Sequence, residues 1–88
     1  MRTKIMAHPI LTEDWPEYDN KKIRDGRDRS KVSCEEKWEI DYIVERLKKH
    51  FPYKTESAIR QAISGCCASV KAPRPRKEFL ECVTRILS

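Results

Sequence analysis

Eighty-eight residues allow one domain at most. Hydrophobic residues make up 39% of the chain and charged residues 38%, so any core is assembled from few side chains, and pairing with a second copy is a ready way to extend it. The formal charge of +5 favours polyanionic partners. No stretch approaches the roughly 20 apolar residues of a membrane-spanning helix, which excludes the membrane as a partner. Met1 to Leu11 offers only Ile5-Met6-Ala7 and Ile10-Leu11, too little for the apolar centre of a signal peptide. These features predict a cytoplasmic protein. Cys34, Cys66, Cys67 and Cys82 are sparser than in small secreted scaffolds and are expected to be free thiols.

In chain order, residues 1–31 read as a flexible N-terminal arm and 32–88 as a helical domain. Pro9 and Pro16 interrupt any helix. Asp19 to Arg29 is charged with mixed signs and cannot bury enough surface to offset its ordering entropy. Ile10, Leu11, Trp15 and Tyr18 are the exception: they could dock on the folded part or on a partner, against a mobile tail with scattered apolar residues.

The first predicted helix spans residues near 33–50. Ser33-Cys34-Glu35-Glu36 has the pattern of a capping box, and Ile40, Ile43, Val44, Leu47 and Phe51 keep helical spacing. Lys48, Lys49 and His50 suit the last turn, and Pro52 stops the helix. The second covers residues near 55–69. Thr55 is its expected cap, and the helix is read as continuing past Gly65 at a cost of about 1 kcal/mol. Lys71-Ala72-Pro73-Arg74-Pro75-Arg76 is an extended basic connector. The third helix covers residues near 76–87, with Phe79, Cys82, Val83 and Ile86 on one face. The fold class is therefore all-α, a small three-helix bundle preceded by the arm. Its expected core is Trp38, Ile40, Ile43, Val44, Leu47, Phe51, Ile59, Ala62, Ile63, Cys66, Val70, Phe79, Leu80, Val83 and Ile86.

Asp28-Arg29-Ser30-Lys31-Val32-Ser33, then Glu36-Lys37-Trp38-Glu39-Ile40-Asp41-Tyr42-Ile43, then Ile59-Arg60-Gln61-Ala62-Ile63 carry a resemblance. This stretch resembles a family of short bacterial helical domains of unknown function. Ile43 stands where that family has Trp, Val44 to Ser57 is longer than its tight turn, and the Pro-Arg-Pro segment has no counterpart. The resemblance implies a small helical fold and transfers no catalytic or binding residue.

Charge placement is the main functional signal. From Arg46 to Lys77 nine basic residues face one acid, Glu56, giving a net +8. A basic face there can neutralise phosphates, with Arg46, Lys48, Lys49, Lys54, Arg60, Gln61, Lys71, Arg74, Arg76 and Lys77 as candidate nucleic-acid contacts; DNA and RNA are not distinguished. The competing reading is a solvated face that keeps the protein soluble. Trp38, Tyr42, Phe51 and Tyr53 could stack on bases but read better as core.

No metal site or cofactor is expected, because Cys34, Cys66, Cys67, Cys82, His8 and His50 lack ligand spacing. No enzyme is expected either. Neither His has a nucleophile's context, Glu35, Glu36 and Glu39 read as helix-start and exposed-face residues, and two glycines form no phosphate-cradling loop. No small-molecule substrate is evident. The predicted function is a helical binding module for nucleic acid, with a protein–protein interaction module, accessory subunit or homodimer as the alternative.

Overall fold

The computed structural model describes residues 8–88. Among them the chain forms four α-helices and a two-stranded antiparallel ribbon: α1 (Pro16–Arg24), β1 (Lys31–Val32), α2 (Lys37–His50), α3 (Glu56–Ser69), β2 (Arg74–Pro75) and α4 (Arg76–Leu87). A short 3-10 turn, Pro9–Thr12, precedes α1. The fold is thus largely helical, and α2, α3 and α4 are the three expected helices. Helix α1 and the ribbon are additions that the three-helix reading lacked.

The largest departure is the N-terminal third. Residues 1–7 of the expected arm lie outside the described residues, but from Pro9 the chain packs onto the bundle. Ile10, Trp15 and Tyr18 are buried in the same core as Ile43, Leu47, Phe79 and Leu80. Pro16 does not interrupt a helix; it occupies the first turn of one, where its fixed φ is favourable and its missing N–H costs nothing. Glu17 and Asp19 lie in the first turn of α1 and Lys21, Lys22 and Arg24 in the last, which suits the helix dipole. Gly26, at φ +72°, ends it: Gly26 N donates to the Ile23 carbonyl and Arg27 N to the Lys22 carbonyl, a left-handed cap that glycine adopts without a Cβ penalty. The charged run orders because only one stripe of it, Tyr18 and Lys22, needs to be buried.

Lys22 is 2% exposed and Glu39 is fully buried. The Lys22 ammonium lies 2.8 Å from Glu39 Oε2 and donates to the Lys31 carbonyl at 3.1 Å. Tyr18 Oη donates to Glu39 Oε2 at 2.7 Å. Ser33 Oγ donates to Glu39 Oε1 at 2.6 Å, and the Cys34 amide does so at 3.0 Å. One carboxylate on α2 therefore gathers donors from α1 and from the turn after β1. Burial pushes the Glu39 carboxyl up, but the hydrogen bonds from Lys22, Ser33 and Tyr18 outweigh it and hold the group below its ordinary 4.5. The Tyr18 hydroxyl is pushed up, first by burial and then by the Glu39 carboxylate it faces.

Glu39 is thus not an exposed-face residue, and Ser33 is not a cap. Cys34 takes a left-handed conformation, φ 64°, which turns the chain before the helix begins at Lys37. Ser33 then reaches Glu39 rather than a backbone amide of α2. Glu36 turns instead to Trp38 Nε1, at 2.8 Å, and to Arg27, at 3.5 Å.

Helix α3 follows expectation more closely. Thr55 Oγ1 accepts from the Ala58 amide at 3.1 Å, and the helix runs through Gly65 to Ser69. In α4 the buried face is Phe79, Leu80, Val83 and Leu87; Ile86 is 54% exposed. Facing the core with both Phe79 and Leu80 rotates the last turn, so Leu87 takes the place expected for Ile86. Trp38, Ile40 and Val70 are half-buried rather than core, and the remaining expected core residues are buried.

The thiol expectation is overturned. Cys34 is bonded to Cys67 and Cys66 to Cys82, leaving no free cysteine. Adjacent helical residues point about 100° apart. Cys66 therefore faces α4 in the core, while Cys67 faces the turn after β1. The spacing argument missed these bonds because each joins separate elements. Closing loops of 16 and 33 residues would restrict the unfolded chain by about 3 and about 4 kcal/mol on a chain-entropy basis.

Two outcomes follow. Glu39→Gln leaves the Lys22 charge buried without a counter-ion and should cost about 3–5 kcal/mol in urea unfolding. In the native chain, the lowered Glu39 pKa contributes stability that is complete above the ordinary value of 4.5. The urea midpoint should fall as pH drops below that value through the folded-state pKa, and Glu39→Gln should flatten that part of the profile. At Gly65, an added Cβ meets nothing within 4 Å. Gly65→Ala should therefore raise stability by about 0.5–1 kcal/mol, read by the same assay.

Candidate nucleic-acid interface

The ten residues singled out between Arg46 and Lys77 do not form one free basic face. Arg46 donates to Tyr42 Oη at 2.9 Å and lies 3.7 Å from both Glu13 and Glu17. Lys48 sits between Glu45, at 3.5 Å, and Glu56, at 3.4 Å. Arg60 holds Glu56 and Asp41, each at 2.9 Å. Glu56 and Asp41 are correspondingly held below the ordinary carboxylate range, Glu56 by its bonds to Arg60 and Lys48, Asp41 by its bonds to Lys37 and Arg60. Along α2 and α3, acids answer the basic residues side by side. Lys49 and Gln61 are exposed, and Lys54 lies over the Tyr53 ring.

Arg74 and Arg76 serve the fold. The Arg74 guanidinium donates to the Cys67 carbonyl at 2.9 and 3.1 Å and to the Ser33 carbonyl at 2.9 Å. Arg76 pairs with Asp19 at 2.9 Å and covers the Trp15 and Tyr18 rings, 4.8 and 5.2 Å from their centroids. Such planar stacking over aromatic faces is particular to arginine.

The ribbon supplies what periodicity could not. Lys31 pairs with Pro75 and Val32 with Arg74, and the Arg76 amide donates to the Ser30 carbonyl at 2.7 Å. This brings segment 24–31 against segment 71–77. Together they hold eight basic residues, Arg24, Arg27, Arg29, Lys31, Lys71, Arg74, Arg76 and Lys77, against Asp25 and Asp28. Their net +6 exceeds the +5 of the whole chain, so everything else is close to neutral. Arg24, Arg29, Lys71 and Lys77 are exposed. Asp28 is turned onto its own loop, accepting from the Ser30 amide at 2.9 Å and the Ser30 hydroxyl at 2.6 Å, and those bonds hold its carboxyl below the ordinary range.

Two shallow hollows flank the ribbon. One, about 350 Å³, is lined by residues including Arg27, Lys31, Ser33, Ala72 and Arg74. The other, about 270 Å³, is lined by residues including Ser30, Lys31, Arg76 and Lys77. Among the described residues no aromatic side chain lines either hollow, so the surface offers charge and backbone to a ligand rather than a stacking platform. The aromatic residues lie elsewhere. Phe51 is buried, Trp38 and Tyr42 are half-buried against Tyr18, and Tyr53 is 72% exposed.

Sequence reasoning passed over Arg24, Arg27, Arg29 and Lys31. Their charge was visible, but the segment read as unstructured, and nothing local paired it with residues forty positions away. It also missed a small histidine cluster, in which His50 Nε2 lies 3.1 Å from Glu13 Oε2 and the His8 ring packs 5.1 Å from those of His50 and Phe51. Burial, and then His50, push the His8 imidazole pKa down.

Charge reversal at Arg74 or Arg76 would disturb the fold as well as any ligand. Lysine at position 74 keeps the charge but cannot reach two carbonyls with a planar fork. Arg74→Lys should therefore destabilise the protein by about 1–3 kcal/mol in denaturant unfolding with no change in net charge. Beyond this geometry, no family model matches the chain, and no curated protein or solved structure is found to be similar to it.

Proposed function

We propose that this chain is a small binding module that engages the sugar-phosphate backbone of nucleic acid through the ribbon surface. The observation that carries this reading is the concentration of charge: two segments distant in sequence meet at β1 and β2 and hold a net +6. Exposed Arg29, Lys71 and Lys77 can each neutralise a phosphate and release its counter-ions. The hollows beside the ribbon lack aromatic side chains, which favours backbone contact over base stacking. The candidate contacts therefore move from the faces of α2 and α3 to the ribbon. The kinship with short bacterial helical domains belongs to the same proposal, as does the absence of catalysis.

The cellular setting is proposed with it. The cytoplasmic expectation rested on the lack of an apolar leader or membrane span and went with reduced thiols; two disulfides favour conditions oxidising enough to keep them closed. No described helix is long and apolar enough to cross a membrane.

A second reading draws on a different surface. A groove of about 610 Å³ between α1 and α2 is lined by half-buried Trp38 and Tyr42 among Lys21, Asp41, Glu45 and Lys49. Aromatic residues ringed by mixed charge suit a protein partner.

Fluorescence anisotropy with a short labelled DNA duplex, and with single-stranded RNA, tests the first reading. Binding at about 50 mM salt should weaken steeply as salt rises. Replacing Arg29, Lys71 and Lys77 together by Gln should reduce the slope of log K against log salt by about 2–3 on duplex DNA. Replacing Lys49 and Lys54 by Gln should leave it nearly unchanged. Absence of binding to either nucleic acid at low salt would refute the proposal.

A further inference from the structure

We infer that the Cys34–Cys67 disulfide is a redox latch on the ribbon, so that a dithiol reductant controls whether the basic surface is assembled. The inference rests on the nucleic-acid reading for the ligand, and on the geometry around Cys34 for the switch.

The ribbon is too short to hold itself. Each strand has two residues, well below the length at which an isolated hairpin persists in water. Its position depends on ties beyond the strands: Lys22 and the Arg76 amide hold the Ser30–Lys31 end, and at the other end three features converge. The Cys34–Cys67 bond joins the turn after β1 to the last turns of α3. Arg74, on β2, spans the same junction by donating to the Ser33 and Cys67 carbonyls. Cys34 itself is left-handed, at φ 64°, a conformation that is strained for a residue with a Cβ. Opening the bond removes the covalent constraint on that turn and leaves the Glu39 hydrogen bonds to Ser33 and Cys34 as its remaining hold; relaxation of Cys34 then turns the Ser33 carbonyl off Arg74. The partner strand then loses its anchor, and segments 24–31 and 71–77 no longer present their charge together.

The two disulfides are not equivalent. Cys34 and Cys67 are both half-buried, so a thiolate can reach the bond from solvent. In the other bond Cys82 is half-buried too, but Cys66 is fully buried in the core between α3 and α4, so that bond is open to attack from one side only. The reaction is ordinary thiol–disulfide exchange. One reductant thiolate attacks a sulfur of the bond and forms a mixed disulfide. The second reductant thiol displaces it. Cys34 and Cys67 each end as thiols, having taken up two electrons and two protons in all, and the reductant leaves as its cyclic disulfide. The Cys66–Cys82 bond stays closed and keeps α3 and α4 together, so the switch acts on the ribbon while the bundle persists.

The test uses the oxidised full chain, treated with graded dithiothreitol. Alkylation and mass spectrometry identify which pair opens first. Amide hydrogen exchange is then followed in the partly reduced protein, alongside affinity for the duplex. Cys34 and Cys67 should be alkylated first. Amides of residues 31–34, and those of Arg74 and Arg76, should exchange at least about tenfold faster while those of α2 and α3 keep their protection. Duplex affinity should fall by about tenfold at constant salt. The Cys34→Ser/Cys67→Ser variant, its helix content checked by circular dichroism, should match the partly reduced protein. Opening of Cys66–Cys82 first, unchanged ribbon exchange, or unchanged duplex affinity after selective opening would each overturn the latch. Failure of the oxidised protein to bind any nucleic acid would instead sink the ligand reading, and hydrogen exchange would still judge the switch.

Discussion

The carboxylate of Glu39 is the point on which the architecture turns. It lies wholly inside the protein, and its charge is tolerable there only because Lys22, Tyr18, Ser33 and the Cys34 amide all direct donors at it. Each donor belongs to a segment that would otherwise have little reason to be ordered. Lys22 and Tyr18 bring α1, and Ser33 and Cys34 bring the turn that leads out of β1. Where the Glu39 site forms, the N-terminal third becomes part of the core and the ribbon has a floor. Apolar burial supplies most of the driving force, as in any small domain. The ion pair decides which segments that force recruits.

This explains where the sequence was legible. Amphipathic α2, α3 and α4 announce themselves because their burial repeats with the helical period, and Thr55 and Pro52 mark a helix start and a stop by local chemistry. What local pattern cannot express is a polar residue buried through partners elsewhere. Glu39 looks like a surface carboxylate in the first turns of α2, and Lys22 looks like one cation among many. Only their meeting makes either an interior residue. Cys34 and Cys67 are likewise paired only by the fold, though they stay half-buried, and the capping pattern at Ser33 is overridden by the left-handed residue that follows it. Ile86 and Leu87 differ by one position, and that choice is set by how α4 rotates to seat Phe79 and Leu80 together.

The candidate site was legible only as charge. Counting along the chain placed the basic excess between Arg46 and Lys77, which is true of the sequence and misleading for the surface. Along α2 and α3 the basic side chains are answered by Glu45, Glu56 and Asp41 across helix turns and between helices. Arg27 and Arg76 are answered by Glu36 and Asp19, and the exposed charge of Arg24, Arg29, Lys71 and Lys77 collects where two unrelated loops are brought together by four residues of strand. A surface assembled this way has only half a sequence signature: residues 71–77 read as basic by themselves, but nothing local joins them to residues 24–31. It is also conditional. Its field depends on keeping two short strands in register, not on a rigid helix face.

The adjacency of Cys66 and Cys67 has a consequence for how the helix is seated. Consecutive residues on α3 are committed to different neighbours, one in the interior and one at the periphery. Together they fix the rotational phase of α3 about its own axis as well as its position. Exchanging their partners would require the helix to rotate by roughly a quarter turn, carrying Ile59, Ala62 and Ile63 out of the core. Apolar packing therefore acts as a proofreader for sulfur pairing, and correct pairing in turn preserves the packing. An insertion or deletion of one residue within α3 upstream of Cys66 would set the two requirements against each other.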